Sequence, residues 1–192
     1  AGAALHVFPK IVLLEDGTDL VGQHRITRVA LTTSQLQLFG GLIVDRNLSS
    51  LRVAVQIGEA LTSSAIEQWI TNYPKCSLIN AYGPTEATVV FTMATVFSND
   101  TFNGGIGKPF SNAPVFLAQS GYRDNSTPLG LLGELCVAGP QVGRGYLHRV
   151  VETSSSFADM GYRTGDLCRW LPDGSLEFLG RIDQQIKLRG FR

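Results

Sequence analysis

An excess of charge of either sign is missing from this 192-residue chain, since Lys and Arg total 16 and Asp and Glu total 16. A balanced chain lacks the general electrostatic attraction that holds nucleic acid or an anionic membrane. No run approaches the roughly 18–20 consecutive apolar residues of a membrane span. The sequence therefore predicts neither nucleic acid nor membrane as a partner, while a small phosphate-bearing ligand stays open.

Cysteine and histidine are also scarce, with three of each. Cys76, Cys136 and Cys168 are too scattered for the paired spacing of a zinc site. Their number favours reduced, buried thiols in a cytoplasmic protein. The apolar start Ala1–Phe8 lacks an initiator Met and a basic leader, and it predicts a strand entered partway through a larger protein. Because Lys187–Arg192 stops within a patterned basic segment, we expect a chain cut at both ends.

The first half alternates apolar runs with helix-like segments, which predicts α/β layering. Apolar runs are expected at Leu5–Phe8, Ile11–Leu14, Ile26–Leu31 and Leu51–Ile57, with a turn at Glu15–Gly17. In the last run Leu51, Val53, Val55 and Ile57 share one face of a predicted strand, and Gly58-Glu59 follows.

A predicted helix comes next, opened by a capping box at Ser64–Glu67 and ended by Tyr73-Pro74. A short strand, Ser77–Ile79, completes a βαβ unit. Such units gather ligand-binding loops at the carboxyl ends of their strands. A further strand is predicted at Thr88–Val96 because the segment is apolar and β-branched.

The heptad Asn80–Glu86, Asn-Ala-Tyr-Gly-Pro-Thr-Glu, follows that strand end and carries several chemical groups. Tyr82 can stack on a flat heterocycle and Asn80 can read its edge. Thr85 can bond an anion, and Glu86 can hold a hard cation. The heptad suits a nucleotide with magnesium, although a polar Gly-Pro turn explains it equally well when it is taken alone.

Beyond about residue 98 helix signals vanish, and short strands separated by turn residues predict a β-barrel-like subdomain. The strands are expected at Pro114–Leu117, Glu134–Val137, Leu176–Leu179 and Gln185–Leu188. We predict an α/β subdomain over 1–97, a β-barrel-like subdomain over 98–182, and a hinge with the start of another subdomain over 183–192.

Four later motifs could bind an anion or a ribose. Gly104–Pro109 lacks the spacing of a phosphate loop and is predicted to be a structural turn, and Gly143–Leu147 is interpreted as a glycine-rich corner. Asp166, in Tyr162–Asp166, could accept both ribose hydroxyls or simply form an Asx turn. Arg181 ends a strand that follows the hairpin turn Pro172–Gly174, and it suits phosphate or ribose oxygens.

Four motifs in order carry a resemblance to a known family: Asn80–Glu86, Gly133–Val137, Tyr162–Asp166 and Gly180–Gly190. Together they resemble the adenylate-forming enzymes, specifically the adenylation domains of nonribosomal peptide synthetases. The resemblance runs through essentially the whole chain. It implies an α/β layered part followed by a barrel-like part of the adenylate-forming fold.

The resemblance also implies residue roles around ATP or AMP and Mg²⁺. Asn80 would bond the adenine amino group, Tyr82 would stack on the ring and Phe178 would close over it. Thr85 would contact the α-phosphate and Glu86 would hold Mg²⁺. Asp166 would take the ribose hydroxyls, Arg181 would contact ribose and phosphate oxygens, and Asp183 would be the hinge. The nucleotide site would also include Gly58, Glu59, Ala81 and Gly83.

The implied reaction joins an amino acid to AMP with release of pyrophosphate, after which a phosphopantetheine thiol on a carrier domain takes the acyl group. Carrier and condensation domains of a parent synthetase would be partners. The family's phosphate loop, amine-binding aspartate and catalytic lysine have no counterpart in this chain, so we expect the isolated chain to lack efficient ATP–pyrophosphate exchange.

The resemblance assigns an amino-acid pocket whose residues are all apolar and mostly small: Ala30, Val55, Ile57, Ala81, Val89 and Val90. We predict a roomy pocket for a hydrophobic side chain. Two alternatives stay open, an acyl-CoA ligase of the same superfamily and a fragment that is non-catalytic and serves as a binding scaffold.

Overall fold

A single continuous sheet of ten strands organises the described part of the chain, residues 3–8, 10–41, 49–97, 104–119, 127–158 and 161–183 of a computed structural model. The helices are α1 Lys10–Gln23, α2 Thr33–Gly41, α3 Ser63–Asn72 and α4 Val150–Ser156, with a 3₁₀ helix at Thr85–Ala87. The strands are β1 Arg28–Leu31, β2 Val53–Gln56, β3 Ser77–Tyr82, β4 Thr92–Val96, β5 Gly105–Pro109, β6 Val115–Ala118, β7 Leu132–Val137, β8 Phe157–Ala158, β9 Gly161–Trp170 and β10 Leu176–Arg181.

The strand order is β1-β2-β3-β4-β5-β10-β9-β7-β6, with β8 paired to β9. Strands β1, β2 and β3 are parallel, and every later pairing in this order is antiparallel. The predicted βαβ unit is therefore present as β2, α3 and β3. The subdomain boundary predicted near residue 98 falls between β4 and β5, and these two strands pair directly with each other. The division into subdomains stays a prediction.

Two apolar clusters lie along this sheet. The first joins helix residues such as Leu36, Ile66 and Trp69 to Ala54 and Leu78 of the parallel strands. The second is built mainly from the antiparallel strands, and its fully buried members are Ala87, Phe91, Leu117, Leu135, Val137, Cys168 and Leu176. The second cluster thus begins within the segment that links β3 to β4.

Several local predictions for the first half are wrong. Residues 3–8 form no strand, and Leu5 and Val7 are exposed. Ile11–Leu14 and the predicted turn Glu15–Gly17 lie inside α1. Gly17 is buried there because α2 packs closely, and a Cβ on it would lie 2.7 Å from Cζ of Phe39.

The predicted capping box at Ser64–Glu67 is wrong, because α3 begins two residues earlier and its third residue is Ala65, not the Glu or Gln that a capping box requires. Thr62, not Ser64, precedes α3, and its Oγ1 accepts a hydrogen bond from the amide of Ala65 at 3.3 Å. The helix ends at Tyr73 as predicted. In β2 the more buried face is that of Ala54 and Gln56, which lies toward the helices, while Val53 and Val55 are half-buried. The face that Val53 and Val55 share is therefore the less buried face of β2.

The strand predicted at Thr88–Val96 begins only at Thr92. Thr88 and Val89 have φ values of 57° and 70°, a left-handed conformation that costs β-branched residues roughly 1–3 kcal/mol each. Gly104–Pro109 contributes strand β5 instead of a turn. The strand predicted at Gln185–Leu188 lies outside the described residues.

Candidate active site

A cavity of about 290 Å³ opens where β2, β3, β9 and β10 end or pass. Every predicted nucleotide-site residue except Thr85 lines it: Gly58, Glu59, Asn80, Ala81, Tyr82, Gly83, Asp166, Phe178 and Arg181. Its volume is near the lower limit of small-molecule sites, and its walls combine apolar groups with a few polar ones. Residues far apart in sequence thus share one ligand-sized space.

The sheet explains this convergence. Parallel strands β2 and β3 end side by side, so Gly58 and Glu59 lie next to the heptad that begins at Asn80. Antiparallel strands β9 and β10 bring Asp166 opposite Arg181 in register. The bond from Asn80 Nδ2 to the carbonyl of Gly105, at 2.8 Å, ties the heptad to β5.

A polar network occupies the position predicted for the ribose. The Tyr82 hydroxyl donates a short hydrogen bond to Oδ2 of Asp166, and Arg181 donates to Oδ1 of the same carboxylate at 2.9 Å. Arg181 also forms a two-bond ion pair with Asp183 at 2.7 and 2.6 Å. A ribose whose hydroxyls donate to Asp166 must therefore compete with Tyr82 and Arg181 for the two carboxylate oxygens of Asp166.

The protonation states in this network are strongly biased. Burial raises the pKa of Tyr82 well above its ordinary value, and the neighbouring Asp166 carboxylate raises it further. The hydrogen bonds to Asp183, followed by the charge of Asp166, raise the pKa of Arg181 against the opposing effect of burial. Tyr82 is therefore a neutral donor and Arg181 a permanent cation at any physiological pH.

Aromatic rings border the cavity. The rings of Tyr82 and Phe178 have centroids 6.3 Å apart and are tilted by 36°. Tyr82 and buried Phe91 also pack edge to face, with a centroid distance of 5.4 Å. Tyr82 is thus anchored to the second apolar cluster while it lines the cavity, an arrangement suited to stacking on a heterocycle.

Thr85 and Glu86 do not line the cavity; they lie on the 3₁₀ helix that follows Gly83, a cavity residue. Oε1 of Glu86 accepts a hydrogen bond from the Tyr146 hydroxyl at 2.7 Å, and the carbonyl of Glu86 accepts one from the amide of Gly143 at 2.7 Å. Gly143–Leu147 is therefore in direct contact with a predicted metal ligand. Arg144, the cationic residue of this motif, is exposed and does not line the cavity.

Most residues predicted for the amino-acid pocket share one face of the parallel strands. Ala30 pairs with Val55, Val55 pairs with Ile79, and Ile57 and Ala81 follow on the same side. Val89 and Val90 instead lie on the loop between the 3₁₀ helix and β4, where Thr88 and Val89 have positive φ. The backbone of this loop passes so close to Gly83 that a Cβ on Gly83 would lie 2.5 Å from the Val89 carbonyl oxygen. Of these pocket residues only Ala81 lines the cavity.

Four cavity residues were not predicted from the sequence: Ala60, Leu61, Gly104 and Ile106. Ala60 and Leu61 directly follow the predicted Gly58-Glu59, so their position was a usable signal. Gly104 and Ile106 carry no distinctive side-chain chemistry, and they reach the cavity because β5 pairs with both β4 and β10.

Comparison with known proteins identifies the family. The model of the AMP-binding enzyme family matches residues 1–147. The chain belongs to the AMP-binding enzyme family. It is 38% identical over 202 aligned positions to tyrocidine synthase 3 of Brevibacillus parabrevis, covering 100% of this chain and 3% of that protein.

Solved structures agree. One is a nonribosomal peptide synthetase protein containing adenylation and PCP domains, with a TM-score of 0.81, 28% identity, and coverage of 93% of this chain and 32% of that one. Another is an anthranilate CoA ligase in complex with anthranoyl-AMP, with a TM-score of 0.83, 22% identity, and coverage of 98% and 36%. The resemblance to peptide-synthetase adenylation domains and the predicted fold class are confirmed. The chain spans 3% of the length of tyrocidine synthase 3 and 32% and 36% of the two solved chains.

Two negative observations apply to the described residues alone. No helix among them is long and apolar enough to cross a membrane. Within the same ranges, no group of three or more His, Cys, Asp or Glu side chains could hold a metal ion. The three cysteines are buried and free.

Proposed function

We propose that the cavity binds the adenosine part of ATP and of an aminoacyl adenylate, as part of an adenylate-forming ligase in nonribosomal peptide synthesis. The observation that carries this proposal is the convergence of Tyr82, Asp166, Phe178 and Arg181 on one cavity. Tyr82 and Phe178 flank the adenine, Asn80 bonds its edge, and Asp166 accepts the ribose hydroxyls. Binding exchanges the internal bonds of Asp166 for bonds from the ribose.

Thr85 and Glu86 would act on the phosphate side. A single carboxylate together with phosphate oxygens is a donor set that magnesium commonly uses, so Glu86 fits as its protein ligand. The bound ion would neutralise phosphate charge. Thr85 is exposed on the same 3₁₀ turn and can donate its hydroxyl to the α-phosphate. Arg181, always charged, stabilises the ribose and phosphate oxygens.

The proposed reaction is attack of an amino-acid carboxylate oxygen on the α-phosphorus of ATP, with pyrophosphate leaving. A phosphopantetheine thiol on a carrier domain then attacks the acyl carbon, and AMP leaves. Carrier and condensation domains are the proposed partners, Asp183 is the proposed hinge, and a cytoplasmic location stays a prediction. The chain's own contribution is to position the nucleotide and complement its charge.

The amino acid is proposed to be hydrophobic. Ala30, Val55, Ile57 and Ala81 form one apolar strand face, and the backbone of Val89 and Val90 passes close to Gly83, two residues after Ala81. No charged side chain occurs in this set, so a charged substrate would lose its hydration without gaining a partner. The test is amino-acid-dependent ATP–pyrophosphate exchange by a protein of native length that carries this chain.

We expect Leu or Phe to support exchange at least ten-fold better than Asp or Lys. Preferential activation of Asp or Lys would contradict the proposed pocket. Exchange with aryl or fatty acids but with no amino acid would instead favour the acyl-CoA ligase alternative. An exchange-inactive protein that binds neither AMP nor ATP would support the scaffold alternative.

A further inference from the structure

The segment Gln141–Tyr146, hereafter the support loop, makes three hydrogen bonds with the residues that follow the heptad's Gly-Pro turn. The Tyr146 hydroxyl donates to Oε1 of Glu86 at 2.7 Å, and the amide of Gly143 donates to the Glu86 carbonyl at 2.7 Å. The hydroxyl of Thr88 donates to the carbonyl of Gln141 at 2.7 Å. Both the main chain and the carboxylate of Glu86 are therefore held from the same side.

The support loop is itself anchored to the second apolar cluster. The ring of Tyr146 packs edge-on against Phe157 at 5.3 Å, and Phe157 packs against buried Tyr162 at 4.9 Å. The amide of Tyr146 donates to Oγ1 of Thr153 in α4 at 2.9 Å. An unbroken set of contacts thus runs from the core to the Glu86 carboxylate.

The two glycines of the support loop permit this close fit. A Cβ on Gly143 would lie 3.3 Å from the Glu86 carbonyl oxygen. Gly145 has φ of 131°, and a Cβ there would lie 2.5 Å from Thr153. The Gly-x-Gly-Tyr pattern therefore lets the chain pass close to Glu86 and α4 and aim the Tyr146 hydroxyl.

We propose that Tyr146 is a positioning residue that orients the Glu86 carboxylate toward the nucleotide-bound metal. The assignment rests on the proposed function of Glu86. A hydroxyl donating to one carboxylate oxygen limits rotation of the group and directs the other oxygen, as partners of metal ligands do in other metal sites. Tyr146 touches neither metal nor substrate in this scheme, so its effect passes entirely through Glu86.

The test measures metal binding without turnover. A protein of native length carrying this chain is mixed with ATP and no amino acid, and free Mn²⁺ is followed by electron paramagnetic resonance. We expect Tyr146→Phe, which keeps the ring against Phe157, to weaken Mn²⁺ affinity about ten-fold. AMP affinity in EDTA should stay within two-fold of the unmodified protein.

The matched control is Tyr73→Phe, which removes a buried hydroxyl that donates to the carbonyl of Phe39 at 3.0 Å in the first apolar cluster. It should leave Mn²⁺ affinity unchanged. In a Glu86→Gln background, Tyr146→Phe should change Mn²⁺ affinity by less than two-fold more, because the effect through the Glu86 carboxylate is already lost.

A second variant, Thr153→Val, removes the acceptor of the Tyr146 amide while keeping the Tyr146 hydroxyl. It should also weaken Mn²⁺ affinity, and it tests the proposal if Tyr146→Phe does not fold.

Mn²⁺ affinity within two-fold of the unmodified protein in folded Tyr146→Phe would overturn the proposal. Equal losses of AMP and Mn²⁺ affinity would also overturn it, because they indicate a general structural role. If only Thr153→Val folds, unchanged Mn²⁺ affinity in that variant would also overturn the proposal. An unmodified protein that binds AMP but gains no Mn²⁺ affinity with ATP would refute the proposed metal role of Glu86, a failure distinct from that of Tyr146.

Discussion

At the residue scale, Tyr82 combines two roles that can be separated by mutation. Its ring borders the cavity, while its hydroxyl binds Asp166. Under the proposed function, a bound nucleotide would keep the ring contact and replace the hydroxyl contact. The ring should therefore determine AMP affinity, whereas the hydroxyl should determine the stability of the empty site.

Two substitutions at Tyr82 test this division. Tyr82→Ala should weaken AMP binding by about 1–3 kcal/mol, the usual contribution of an aromatic ring stacked on a base. Tyr82→Phe should keep AMP affinity or raise it, and should lower the free energy of unfolding by about 1.5–3 kcal/mol because Asp166 loses a donor. Calorimetry and urea unfolding supply the two numbers, and an equal loss of AMP affinity in both variants would contradict the division.

The heptad's chemistry is readable from sequence because its residue types are unusual at a strand end. The position of Tyr146 is not, since a tyrosine in a glycine-rich loop carries no sign of its partner sixty residues away. The same limit applies to Thr88 and Val89. Their β-branched side chains predict a strand, and only tertiary contacts hold them at positive φ.

At the element scale, β5 joins the two parts of the sheet and depends on one glycine. Gly107 has φ of 85°, and a Cβ there would lie 1.9 Å from the carbonyl oxygen of Met93 in β4. The β4 and β5 backbones approach each other closely at this point. The apparent phosphate-loop motif thus has a packing role, although its first residue, Gly104, lines the cavity.

Gly107→Ala should therefore destabilise the protein more than Gly174→Ala. Gly174 has φ of 80°, and a Cβ added there would meet nothing within 4 Å, so its substitution carries the conformational cost alone, about 1–2 kcal/mol. The backbone clash at Gly107 should add about 1–3 kcal/mol. Urea unfolding compares the two variants, and equal losses would show that the β4–β5 contact relaxes freely.

The helices and strands are unevenly predictable for a physical reason. The βαβ unit and the β10 hairpin have local signals, namely helical periodicity and a Pro-Asp-Gly turn. Helix α1 is missed because Gly17 resembles a turn residue, and its actual role is to admit the ring of Phe39. Contacts between elements that are distant in sequence produce no periodic pattern of apolar residues, so the sequence alone does not predict them.

At the scale of the whole molecule, stability should fall in alkali because buried thiols resist ionisation. Burial raises the pKa of Cys76 to about 11 and that of Cys136 to about 12, from an ordinary value of 9.0. Below pH 9 these groups are protonated in both states and the full stability is present. Above pH 9 the unfolded chain loses the protons first, so the free energy of unfolding falls as pH rises toward 11–12.

Urea unfolding between pH 7.5 and 10.5 measures this slope, and Cys136→Ala should make it shallower. A slope unchanged by that substitution would contradict the burial of Cys136. A thiol reagent supplies an independent control, since buried, protonated cysteines should react only after denaturant is added.

The overall organisation is the most predictable level, because four ordered motifs are enough to identify the family from the sequence. The division into 1–97, 98–182 and 183–192 stays a prediction, as one sheet crosses the first boundary. The family match and the fold agree that the chain belongs to the AMP-binding enzyme family.

Adenosine binding in the cavity through Asp166 is tested most directly by calorimetry with AMP. The 192-residue chain should bind AMP with one site, and Asp166→Asn should weaken binding at least ten-fold because a charge-assisted acceptor is lost. Asp173→Asn, on the exposed β9–β10 turn, should leave the affinity unchanged. Absence of AMP binding by the folded chain, or equal affinity in Asp166→Asn, would contradict the account.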